Sequence, residues 1–213
     1  MSFIKWACSV VIMALLTVGC AGTATNTNAV TAVATTPKPS AVKPPEAAVN
    51  SNVRTQYDAA VGAMRSGNIS QAKNMMANLT QSSPDLAGPY VNLGIIHFRA
   101  DEIEKAEQAF QQALKVNPKS AVSLNHLGII YRGKGKFNEA RENYENALRI
   151  DPNYAYAHLN FGILLDLYLG ELENALAHYQ RFQQLAPKED KEVMKWIVDL
   201  ERRIKAANKA AKK

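Results

Sequence analysis

Cysteine is nearly missing: the 213 residues hold two, Cys8 and Cys20, both in the first twenty positions. The rest of the chain therefore has no means of forming a disulfide or a thiolate metal site. A cysteine-free body is compatible with an oxidising compartment. Long apolar runs are missing too. The longest candidate, Trp6 to Val18, is broken by Ser9 and Thr17 and falls short of the roughly 20 residues that a spanning helix needs. There is no Gly-rich phosphate loop. Histidine is scarce. Of His97, His126, His158 and His178, His126 stands three residues after Ser123, but no third group is placed to orient the pair. His158, His178 and Asp166 are the residues a metal would have to use, but their spacing matches no ligand pattern. Glu102, Glu104 and Glu107 read as a solvated stretch. Basic residues do not interleave with aromatics through the middle of the chain, which argues against nucleic acid as a partner. The absences together predict no enzyme, no cofactor, no metal and no small-molecule substrate.

What is present divides into three parts. Charged residues make up 21% and hydrophobic residues 47%, with a net charge of +6. Much of that excess gathers at the end, in Arg202, Arg203, Lys205, Lys209, Lys212 and Lys213. A run of this kind is either a solvated helix end or a contact for acidic lipid or nucleic acid. The N-terminus has the layout of a secretory signal: Lys5 supplies charge, an apolar stretch follows, and Gly19 offers a small residue for cleavage.

The stretch Leu16-Thr17-Val18-Gly19-Cys20 resembles the lipobox of bacterial lipoproteins. Thr17 stands where that family usually has Leu, with Leu16 one step earlier. The resemblance implies that residues 1–19 are a signal peptide and that Cys20 carries the lipid. Ala21 follows the cysteine rather than Asp. By resemblance to Gram-negative lipoproteins, this implies sorting to the outer membrane, on its periplasmic face. Several acyl chains hold a protein firmly where one holds it marginally. After Cys20, residues 21–50 are dominated by Thr, Ala, Asn, Val, Pro and Lys. Such a composition cannot bury enough apolar surface to offset its ordering entropy. Residues 20–50 are therefore expected to be a lipidated cysteine and a disordered tether.

The body repeats itself. Gly94, Gly128 and Gly162 are spaced by 34, as are Pro84, Pro118 and Pro152, and Ala72, Ala106 and Ala140. Tyr90, Leu93, Gly94, His97, Ala106, Phe110, Ala113 and Pro118 form one copy of a pattern that Leu124, Leu127, Gly128, Tyr131, Ala140, Tyr144, Ala147 and Pro152 repeat. A further copy runs through His158, Phe161, Gly162 and Leu165, takes one extra residue between Asp166 and Asn174, and resumes at Ala175, Tyr179, Phe182 and Pro187. A degenerate first copy keeps Ala59, Ala60, Ala72, Met76, Leu79 and Pro84. This pattern resembles the tetratricopeptide repeat (TPR). The resemblance implies an all-α, right-handed superhelix of four helix–turn–helix repeats over 51–189 (53–86, 87–120, 121–154 and 155–189). The small residues admit close helix approach, the aromatics fill the gaps, and proline ends each second helix. Gly135 and Gly170 permit the turns inside repeats. Over 190–213, Asp190 can cap a helix in which Val193, Ile197, Leu200 and Ile204 recur at helical spacing beside Trp196. That helix is either a cap on the last repeat or a helix lying on a membrane.

In the TPR family the first helix of each repeat lines a concave groove. The resemblance places there Arg54, Tyr57, Val61 and Met64; Gly88, Val91, Ile95 and Phe98; Val122, Asn125, Ile129 and Arg132; and Tyr156, Leu159, Ile163 and Asp166. Tyr57, Val91, Ile95, Phe98, Asn125, Ile129, Arg132 and Tyr156 are the expected contacts for a protein or peptide partner. The Lys and Asn arrangement by which chaperone-binding members clamp a carboxylate is absent. The apolar line Val61, Ile95, Ile129 and Ile163 reads equally well as a binding surface or as packing between repeats. Resemblance to TPR lipoproteins of the pilotin type implies a non-enzymatic adaptor or assembly factor for an envelope complex such as a pilus or secretin. The alternative is an accessory subunit or regulator of a cell-wall-remodelling enzyme.

Overall fold

The computed structural model describes residues 51–212; the expected signal peptide, Cys20 and the expected tether lie outside them. The described residues form helices and turns: α1 (Ser51–Arg65), α2 (Ile69–Ser82), α3 (Ala87–Arg99), α4 (Ile103–Val116), α5 (Ala121–Gly133), α6 (Phe137–Ile150), α7 (Ala155–Leu164), α8 (Leu172–Leu185) and α9 (Lys191–Ala210). The helices pair as α1·α2, α3·α4, α5·α6 and α7·α8, and each pair stacks on the next. First helices also touch one another, α3 with α5 and α5 with α7, so they form one layer and the second helices the other. This is the all-α superhelix of four repeats plus a final helix that the sequence pattern implied.

The 34-residue period is a packing rule. A Cβ added at Gly94, Gly128 or Gly162 would lie 2.6 Å from Phe110, 2.5 Å from Tyr144 or 2.6 Å from Tyr179. Each ring belongs to the second helix of the same repeat, and each is fully or almost fully buried. The second helix then stops two residues before proline: at Ser82, Val116, Ile150 and Leu185, ahead of Pro84, Pro118, Pro152 and Pro187.

The turn between the helices of a repeat needs a left-handed residue. Gly67, Gly135 and Gly170 supply it in three repeats, with φ of 84°, 71° and 69°. In the second repeat Asp101 occupies the same place at φ 58°. A residue with a Cβ is strained there, Asp less than most. Replacing Asp101 by Gly should stabilise the domain by about 1 kcal/mol or less, seen as a rise in thermal midpoint; a lower midpoint would show that Asp101 makes a contact the turn depends on.

The extra residue of the fourth repeat is absorbed without a loop. After α7 the chain makes a π-helical turn, Leu165–Leu169, in which the Gly170 N–H donates to Leu165 O rather than to a carbonyl one residue nearer. The wider turn takes up one residue and leaves Leu167 52% exposed beside an exposed Tyr168, whose ring lies 4.9 Å from that of Phe137.

Helix α9 packs on α8. The Asp190 carboxylate caps it, accepting from Glu192 N at 3.0 Å and Val193 N at 3.2 Å. The Gln183 side chain on α8 pairs with both backbone groups of Asp190, which fixes where α9 starts. Val193, Ile197 and Leu200 are buried, and Trp196 sets its ring 5.5 Å from Tyr179. Of the two readings of this helix, its apolar face serves as the cap. Among the described residues no helix is long and apolar enough to cross a membrane.

Candidate functional site: the layer of first helices

Two of the four lines of residues along the first helices are sealed by the neighbouring repeat. Tyr57, Val91, Asn125 and Leu159 are all buried, Val91 and Asn125 to 0% exposure. So are Val61, Ile95, Ile129 and Ile163, with Ile129 at 7%. The apolar spine therefore lies inside, within the core clusters that run from α1 to α5 and from α5 to α9. What stays accessible on this face are the exposed Arg54 and the half-buried Phe98, Val122 and Tyr156, the last with its ring 6.0 Å from Phe182. Of the expected contacts, a partner can touch Phe98 and Tyr156 directly. Tyr57, Val91, Ile95, Asn125 and Ile129 support that surface from below.

The burial of polar groups explains the layout. Asn92, His126 and Asn160 recur every 34 residues, and none is more than 1% exposed. Asn92 Nδ2 donates to Tyr57 Oη at 2.8 Å and to Gly88 O at 3.0 Å. Asn160 Nδ2 donates to Asn125 Oδ1 at 3.1 Å. These are polar rungs between successive repeats, and buried polar groups are costly when unpaired. Tyr57 and Asn125 are thus bound to the following repeat. The period alone could have exposed this line in the sequence, since it sets two asparagines in register with a histidine.

His126 holds the middle rung differently. Its ring stacks on Phe110 at 4.8 Å and meets Phe98 edge-on at 5.8 Å. Nδ1 donates to Val122 O at 2.8 Å, so the neutral tautomer is fixed. Ser123 Oγ is paired with Ser120 Oγ at 2.9 Å, and so no Ser–His dyad forms. Burial pushes the His126 pKa down from 6.5 to about 4. His178 is held down to about 4, chiefly by burial and then by the neighbouring His158. His158 is lowered as well, first by burial. Its Nε2 donates to Pro152 O at 3.1 Å, so its Nδ1 accepts from His178 Nδ1 at 2.9 Å.

These histidines make the fold acid-sensitive. In each case the unfolded chain takes up a proton where the folded chain does not. Their neutral state costs nothing above pH 6.5, and stability is lost as pH falls from there through about 4. The loss from His126 alone should be on the order of 3 kcal/mol. His126→Asn, which copies the other two rungs, should flatten the fall in melting temperature between pH 7 and pH 4. An unchanged pH profile would mean that the ring is not the acid-labile group.

Arg132 and Asp166, which the register places at equivalent positions of the groove, differ in their surroundings. Asp166 accepts from Arg203 Nη1 of α9 at 2.7 Å, with its own side chain 7% exposed, so the cap already neutralises it. Arg132 is 7% exposed and donates from Nη1 to the Asn160 carbonyl at 3.2 Å. Among the described residues it has no carboxylate partner. Asp166 does not join His158 and His178, and among the described residues no three His, Cys, Asp or Glu side chains form a metal-holding group.

The acidic residues of α4 and its start, expected to form a solvated stretch, include two that bridge repeats. Glu102 pairs with Lys73 at 3.3 Å and with His97, which hold its pKa down at about 2, the His97 contact foremost. Glu107 pairs with Lys134 at 2.5 Å, and Arg141 with Glu171. Lys73, Glu107 and Arg141 are again spaced by 34, so each repeat reaches the next with alternating sign. Pairs this exposed contribute little stability; their value is in fixing which surfaces meet.

This architecture defines a class: stacked helical hairpins that leave one layer of first helices open to a partner. Residues 85–153 and 119–188 match the Tetratricopeptide repeat family model. Among solved structures, the chain is 25% identical to MamA, with a TM-score of 0.55 over 63% of this chain and 78% of that one. With PilF of Pseudomonas aeruginosa it shares 18% identity and a TM-score of 0.63 over 72% of this chain and 69% of that one. The first TPR of Spaghetti (RPAP3), solved with the HSP90 peptide SRMEEVD, has a TM-score of 0.51 at 19% identity, over 55% of this chain and 92% of that one. No curated protein sequence matches significantly.

Proposed function

We propose that the protein is a non-enzymatic protein-binding scaffold, held by lipid on Cys20 to the periplasmic face of a bacterial outer membrane. It would serve there as adaptor or assembly factor for an envelope complex such as a pilus or secretin. The observation that carries the binding role is the first-helix layer. It presents Phe98, Val122 and Tyr156, half-buried, and holds a nearly buried guanidinium on Arg132 that lacks a carboxylate among the described residues. Apolar side chains set in a packed surface are where binding energy concentrates, and Arg132 would orient a peptide through a carbonyl or carboxylate. Support for a peptide as occupant comes from the RPAP3 repeat, whose structure holds the HSP90 peptide. The likeness to PilF supports the fold and leaves the choice of envelope machine to the sequence resemblance. The anchor is argued from Gly19-Cys20 behind a short apolar run.

Two experiments on cells test the two halves. Labelling with a clickable fatty acid should mark the protein and leave Cys20→Ala unmarked; label retained by Cys20→Ala would end the anchor reading. Affinity capture after crosslinking should recover a defined partner, and Phe98→Ala should lose it while keeping the helical circular dichroism spectrum. Undiminished capture by a folded Phe98→Ala would move the site elsewhere.

A further inference from the structure

Helix α9 has a second face that packing does not use. Its buried side is Val193, Ile197 and Leu200, with Ile204 half-buried. At about 100° per residue, the outward side collects Lys191, Lys195, Arg202, Lys205, Lys209 and Lys212, with Met194 and Val198 among them. No Asp or Glu falls within that stripe. Glu192 and Asp199 lie on one flank, where Lys195 at 2.7 Å and Arg203 at 3.7 Å pair with them; Glu201 lies on the other. Lys191, Arg202, Lys205, Lys209 and Lys212 make no ion pair among the described residues. Val198 is 41% exposed at the centre of this charge.

Two shallow open grooves run along the helix. One is floored by Met194 and Val198 and rimmed by Lys195 and Arg202, with Asp199 at its edge. The other is floored by Leu176 of α8 and Ile204 and rimmed by Lys205, Lys209 and Lys212, with Glu201 and Asn208 at its edge. In both, cation-bearing stems lie along apolar carbon. We propose that this face docks on a bilayer bearing anionic headgroups.

The pattern suits a fluid surface better than a folded acidic partner. The cations are spread along a 20-residue helix, which is about 30 Å long. They sit on exposed, flexible side chains, and neither groove offers a deep pocket for a single anchoring side chain. Lysine and arginine stems can lie flat on the acyl boundary while their heads reach phosphates. Met194 and Val198 are then placed to enter between headgroups, and the charge attraction acts along the whole stripe. This docking does not depend on lipid at Cys20. It would hold the last repeat against the membrane and so set the direction in which the first-helix layer faces.

The test is flotation of the full chain with phosphatidylcholine vesicles, with and without phosphatidylglycerol. The apolar N-terminal segment contributes to both, so the readout is the gain on adding the anionic lipid. A gain of about tenfold or more is expected, lost at high salt and lost in a chain carrying Lys191→Glu, Arg202→Glu, Lys205→Glu and Lys209→Glu. Val198→Asp should reduce the gain without lowering the melting temperature, because that side chain is exposed. No gain with phosphatidylglycerol, or a gain that both the charge reversals and Val198→Asp leave intact, overturns the proposal. Binding of duplex DNA that charge reversal abolishes, with no gain on vesicles, would assign the stripe to nucleic acid instead. Partner capture through Phe98 is a separate readout, so this proposal and the scaffold reading fail independently.

Discussion

Ile129→Asp should unfold the repeat domain at neutral pH, while Phe98→Ala should leave it folded. Ile129 sits on α5, 7% exposed, in the same cluster as Ile163, Tyr144 and Phe161. A carboxylate there would be desolvated, and Arg132, three residues on along α5, already donates to the Asn160 carbonyl; the cost is several kcal/mol. Native domains have about 5–15 kcal/mol in all, so the substitution consumes much of the stability. The measurement is thermal or urea unfolding followed by circular dichroism, with loss or a large early shift of the cooperative transition expected. A near-normal melt for Ile129→Asp would place that side chain in the open groove. Phe98, half-buried at the end of α3, should cost far less. The pair of variants thus separates the surface that a partner can touch from the layer that only supports it.

Leu200→Ala is expected to have the second large effect. Leu200 is 0% exposed between α9 and the last repeat. Deleting a buried leucine to alanine typically costs about 2–5 kcal/mol. Because α9 covers the open end of the stack, the loss should reach beyond the helix itself. Hydrogen exchange should rise in α7 and α8 together with α9, and least in α3 and α4. Exchange confined to α9, with the melting point unchanged, would show that the repeats do not depend on their cap.

How much of the fold is legible in the sequence follows the period. Gly94, Gly128 and Gly162 can be read as close contacts because a residue without a side chain, recurring every 34 positions inside helices, marks a place where a Cβ does not fit. The structure adds which rings fill each space. The extra residue of the fourth repeat can be located between Asp166 and Asn174 but not shaped: a π turn beginning at Leu165 depends on backbone bonding that residue types do not encode. The groove is legible in direction and not in depth. The register correctly assigns Tyr57, Val91, Asn125 and Ile129 to the first helices. Whether such a side chain lies on a surface or beneath one depends on how closely the following helix approaches, and that is a property of the stack. Glu102 and Glu107 escape a sequence reading for a related reason. Their partners, Lys73 and Lys134, belong to neighbouring repeats, and a local reading of charge sees only the helix that carries it.

The accessible first-helix residues Phe98 and Tyr156 are expected to hold a protein partner. In-cell photocrosslinking tests this most directly, with a photoreactive aromatic residue placed at Phe98 or at Tyr156, and at Glu145 on the second-helix layer as a control. Phe98 and Tyr156 should each give an adduct with the same protein, and Glu145 should give none. Adducts from Glu145 with Phe98 and Tyr156 silent would contradict it.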